Sequence, residues 1–174
     1  MIALAEGLLV VSALTNEAEV PIGGYLEPTL LLFRNLNKSS TILIPDLVKY
    51  FCFPKGVEIV ADYTKTEPSL LQFCFAFSDL EFTGYAVVFA TPLEEGKVAG
   101  KMACVCLLSQ LVVPDFGTKL LPLVYEKCFP GGAVIDPSLL DRLAERLTVM
   151  LDEETAASSG NILLETGVVL QRNV

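Results

Sequence analysis

The sequence predicts a two-layer α+β domain, mainly antiparallel sheet with helices packed on it. Three observations predict it. The centre of the chain holds three strand-length apolar segments with short connections, which make an antiparallel meander. A continuous apolar run near the start has the length of a buried strand. Apart from one or two helical turns at Ile44–Phe51, helical periodicity enters after residue 115, so the two longer helices follow the sheet rather than alternate with its strands.

Taken in order, Gly7–Leu14 (GLLVVSAL) reads as a strand buried on both faces. Residues Thr15–Pro28 read as a loop, punctuated by Pro21, Gly23, Gly24 and Pro28. Thr29–Arg34 is a short strand ended by NLNKSS. Ile44–Phe51 (IPDLVKYF) suits one or two helical turns, stopped by Pro54 and Gly56, and Val57–Ala61 is extended. Leu70–Ser78 alternates, with Phe73, Phe75 and Phe77 on one face and Gln72, Cys74 and Ala76 on the other. Asp79–Thr83 reads as a turn, Gly84–Thr91 as the next strand and Met102–Ser109 as the third.

The helical part begins at Asp115, an N-cap for a segment through Cys128 that Pro122 should kink or split. A second helix starts with Asp136 as cap and Pro137 at the first position. Its stripe is Leu139, Leu140, Leu143, Leu147 and Met150. Asp152–Glu154 puts negative charge at that helix's negative end and marks its stop. TAASSGN is a linker, and Ile162–Leu170 reads as a last strand.

Composition narrows function. The 174 residues are 52% hydrophobic and 19% charged, which excludes an intrinsically disordered chain. The mean hydropathy of +0.55 is high for a free-standing domain, so an apolar face covered by a further lobe or a protein partner is expected. Twelve Lys and Arg against 21 Asp and Glu give −9, which argues against a grip on nucleic acid and against direct attraction to an anionic membrane. There is no histidine, so serine or cysteine nucleophiles with a His base and HExxH zinc sites are excluded. Five cysteines, mostly inside apolar runs, read as reduced, buried and cytoplasmic; Cys74, Cys104 and Cys106 are expected to be shielded. Cys104 and Cys106 face the same way on one strand, but no second pair or His completes a metal site.

Two motifs reduce to structure. The segment from Gly96 to Lys101 (GKVAGK) has three residues between its glycines where a phosphate loop needs four, and joins strand to strand; it reads as a polar hairpin loop. Asp79 and Glu81 could be posed as paired carboxylates, yet turns favour Asp for backbone reasons. No catalytic, cofactor-binding or metal-ligating residue is expected, and no covalent catalysis.

Read together, IPDLVKYFCFPKGVEI (Ile44–Ile59), FCFAFSDLEFTGYAVVF (Phe73–Phe89) and MACVCLLSQLVVPDFGTKLLPLVY (Met102–Tyr125) resemble the upstream DENN (uDENN) module. This is the N-terminal lobe of DENN-domain proteins. The signature positions are Phe51, Phe53, Pro54, Gly56, Cys104, Cys106 and Ser109, expected to be structural. One departure is that Ser109 leads into Gln110–Val113, with the following proline delayed to Pro114. The resemblance implies a longin-like fold for residues 1–130, with 131–174 a helical extension and linker at the entry to a central DENN lobe. It implies guanine-nucleotide exchange on a Rab-type small GTPase in membrane trafficking, without cofactor, through prying of the switch regions. It also implies a cytoplasmic protein that is peripheral to vesicle membranes and meets them only through its GTPase. The alternative is a longin-like adaptor that binds trafficking or autophagy partners without exchange.

Overall fold

A computed structural model describes residues 5–14, 20–36, 46–77, 79–94, 96–110 and 121–128. It also describes residues 118, 138, 141, 142, 144, 145, 161–163 and 169–171. The domain is α+β and mainly antiparallel sheet. Its strands are β1 (Gly7–Ser12), β2 (Tyr25–Leu26), β3 (Thr29–Asn35), β4 (Val57–Val60), β5 (Ser69–Phe77), β6 (Leu80–Pro92) and β7 (Gly100–Ser109). A one-turn helix α1 (Lys49–Cys52) follows a 3-10 turn at Asp46–Val48, and α2 (Leu121–Cys128) follows the sheet. A separate two-stranded hairpin joins β8 (Asn161–Leu163) to β9 (Val169–Gln171).

β7 organises the sheet. It pairs β6 along its whole length on one edge, and β1 and β4 on the other. β5 adds to β6, β3 to β1 and β2 to β4, every pair antiparallel. The expected meander of three consecutive strands is therefore present as β5–β6–β7. Both faces of the sheet's centre are covered. Leu9, Val11, Phe75, Phe82, Cys104, Cys106 and Leu108 point to one face, where Val48, Cys52 and Phe53 close over them. α2 packs on β6 and β7 from the other, with Phe89 and Tyr125 at 4.9 Å between ring centroids. Coverage on both faces is why the apolar run of β1 is buried at all six positions.

Several boundaries differ from expectation for identifiable reasons. The turn expected at Asp79–Thr83 is tighter: Phe77 pairs with Leu80, so only two residues connect β5 to β6. Asp79 permits this by taking φ 62°, a conformation Asp tolerates. The loop before β3 carries the two-residue β2, held beside β4. Pro122 is the second residue of α2, where its missing N–H costs no bond within that helix; except for Thr118, the stretch expected to be helical before it lies outside the described residues. The expected last strand is instead two short strands. Ser138, Asp141, Arg142, Ala144 and Glu145 are helical, and Arg34 of β3 is ion-paired with Asp141. The caps Asp115, Asp136 and Pro137, and the stripe Leu139, Leu140, Leu143, Leu147 and Met150, lie outside the described residues.

Candidate functional site

Four of the signature residues, Phe51, Phe53, Cys104 and Cys106, meet where α1 packs on the sheet. Residues 53–56 form a turn in which Phe53 C=O accepts from Gly56 N–H at 3.0 Å, with exposed Pro54 at the second position. Gly56 sits at φ +104°, and a Cβ there would meet the Leu26 carbonyl oxygen at 2.8 Å. Only glycine combines that conformation with so close an approach. The turn reverses the chain into β4, leaving Phe53 buried and Phe51 half-buried on the sheet.

Phe51 stacks on Phe75 at 5.1 Å and on Phe73 at 5.7 Å, and Phe75 stacks on Phe82 at 5.3 Å. The row is laid out by register. Phe75 lies directly across from Phe82, and Phe73 across from Gly84. The Phe73 ring fills the space above Gly84, 2.2–2.6 Å from where a Cβ would be.

Beside the rings lie three thiols. Cys52 ends α1; Cys104 and Cys106 share the inner face of β7, both fully buried. The neighbouring thiols of Cys104 and then Cys106 pull the Cys52 pKa down, to about 5, against the burial that would raise it. The other two are pushed well above the ordinary thiol value, Cys104 chiefly through Cys52 and Cys106 chiefly by burial. The trio therefore shares protons as one unit. With 4% of Cys52 exposed, it is closed to reagents, unlike reactive cysteines, which are partly accessible. Cys74 departs from expectation. It lies on the outward face of β5 and is exposed, because nothing packs on that side of the strand among the described residues.

Ser109, also fully buried, ends β7 opposite Thr83. Asp79 and Glu81 are exposed, one in the turn and one on β6. The phosphate-loop look-alike is accounted for by packing: Gly100 begins β7 with the Thr91 carbonyl 2.6 Å from a would-be Cβ. Lys101 donates to the Ala13 carbonyl, and partial burial lowers its pKa. Among the described residues no group of three or more His, Cys, Asp or Glu is placed to hold a metal ion. No helix among them is long and apolar enough to cross a membrane.

The structure thus joins what the sequence leaves as two separate motifs: the FCFPxG turn and the Cys-x-Cys strand meet through Cys52. That contact was not legible, since it spans some fifty residues and carries no local pattern. No protein-family model, curated protein or solved structure matches this chain.

Proposed function

We infer that the chain acts by protein–protein contact, as the N-terminal lobe of a DENN-type guanine-nucleotide exchange factor for Rab GTPases. The observation supporting this is the junction just described. The two halves of the signature, the FCFPxG turn and the CxC pair of β7, form one packed unit through Phe51, Cys52, Phe53, Cys104 and Cys106. The described residues offer a packed platform that also carries exposed apolar side chains: Leu47, Tyr50, Leu70 and Val98 are each at least 44% exposed. Exchange needs such a platform, because the work is done by pressing on the GTPase and not by bond chemistry. On this reading the protein is cytoplasmic and reaches vesicle membranes through its GTPase.

A single lobe touches part of the switch surface and forfeits much of the binding energy needed to displace nucleotide. The test is release of a fluorescent GDP analogue from a panel of Rab GTPases. It is run with this chain and with a version extended into a central DENN lobe. Strong acceleration by the extended protein and weak acceleration by this chain are expected. No acceleration by either overturns the exchange reading and favours the adaptor.

A further inference from the structure

We propose that the free edge of β5 is a docking site for a second copy of this chain, paired antiparallel about a two-fold axis at Phe73. Among the described residues β5 pairs only with β6. Its nine residues, SLLQFCFAF, contain no charge, proline or glycine. Natural edge strands are normally blunted by such residues, and a long, uncharged, apolar edge is a template for another strand. The other outer strands are unlike it. β2 is two residues long, and β3 carries Arg34, which is engaged by Asp141.

The hairpin geometry says which groups are free. With a two-residue connection, Phe77 and Leu80 form a hydrogen-bonded pair. Alternation then turns the N–H and C=O of Leu71, Phe73, Phe75 and Phe77 toward β6. Those of Leu70, Gln72, Cys74 and Ala76 point to the open edge. Cys74 Sγ lies 3.7 Å from Thr83 Oγ1, as suits a close, non-hydrogen-bonded pair.

That strip is self-complementary. A two-fold axis at Phe73 sets Leu70 opposite Ala76 of the second copy and Gln72 opposite Cys74 of the second copy. All four rungs are then used on both strands, giving about eight backbone hydrogen bonds. The two Phe73 residues sit at the axis, each with its ring turned back over Gly84 of its own β6, so the strand backbones can approach without a clash of rings.

Charge argues for this strip as the place where a like copy docks. Each chain carries −9, so two copies repel wherever acidic surfaces meet. β5 is a neutral band. At its ends the register brings exposed Glu67 near Asp79 of the second copy, a like-charge pair at each end. Self-association should therefore strengthen with salt, which screens those pairs.

The experiment is sedimentation velocity from micromolar to submillimolar concentration, at low and at physiological ionic strength. The wild-type chain is expected to dimerise, more tightly at the higher salt. Glu67→Lys turns both end contacts attractive and tightens the dimer roughly tenfold in Kd at low ionic strength. Gln72→Lys with Cys74→Lys sets like charges across the axis and abolishes it, while a circular-dichroism melt reports the fold. A wild-type chain that stays monomeric overturns the proposal and leaves the edge to a strand of another protein. So does a dimer unmoved by the double substitution. Should the double variant fail to fold, an unchanged Kd for Glu67→Lys overturns the register.

Discussion

Gly84 is where a missing side chain does structural work. Phe73 lies across from it in the β5–β6 register, and its ring occupies the volume a Cβ would need. The aromatic covers backbone that glycine leaves open, and the glycine gives the ring room to stack against Phe51 and Phe75. Gly84→Val should destabilise the domain by about 2–3 kcal/mol, since an over-packed site must shift rotamers or backbone. The cost should shrink markedly in a Phe73→Ala background, where the clashing ring is gone. Urea unfolding of the two single variants and the double one measures this as a coupling energy. Additive costs would show that the ring does not sit over Gly84.

α1 holds its shape by docking. It has four residues and no side-chain N-cap hydrogen bond, far below the length at which a helix persists alone in water. What keeps it is Phe51 on the β5 rings and Cys52 against β7. Phe51→Ala should cost about 3 kcal/mol and loosen the turn locally. Mass-resolved thiol labelling checks both parts. In the wild type Cys74 reacts first and Cys52 only on unfolding; in Phe51→Ala, Cys52 becomes reactive while Cys104 and Cys106 stay protected. Equal protection of Cys52 in both proteins would mean that α1 does not depend on the stack. This level also shows what the sequence could disclose. The alternation of β5 and the short connections after it made β5–β6–β7 legible, because period two and turn length are local. β1 was legible as a strand. Its place between β3 and β7 was not, because a run buried on both faces carries no mark of its neighbours. The turn into β6 was set too long because the left-handed Asp79, which shortens it to two residues, is a backbone choice that Asp allows but does not announce. The exposure of Cys74 depends on what covers the outer face, a tertiary fact.

For the molecule as a whole, the absence of histidine makes the pH profile of stability unusually readable. No side chain of ordinary pKa titrates between the carboxylates and the thiols, so the slope from pH 6 to 8 should be nearly flat unless a perturbed group intervenes. Cys52 is such a group. Its folded pKa is depressed, to about 5, so its contribution is present above the unfolded thiol value and is lost as pH falls through the folded one. Stability should therefore rise from pH 6 to 8, by up to about 1 kcal/mol per unit. Cys104 and Cys106 act with the opposite sign. Their folded pKa values are raised, so they stay protonated while unfolded thiols ionise, and stability falls as pH climbs above about 8.5. The expected profile peaks on the alkaline side of neutral, at the upper end of the range of about pH 5 to 8 in which most proteins are most stable. Guanidinium unfolding across this range tests it, with Cys52→Ala as the control. That variant should lose the rise between pH 6 and 8 and keep the alkaline fall, since the two β7 thiols remain buried. A wild-type profile flat from pH 6 to 8 would mean that Cys52 is an ordinary protonated core thiol, with burial outweighing the influence of the two neighbouring thiols.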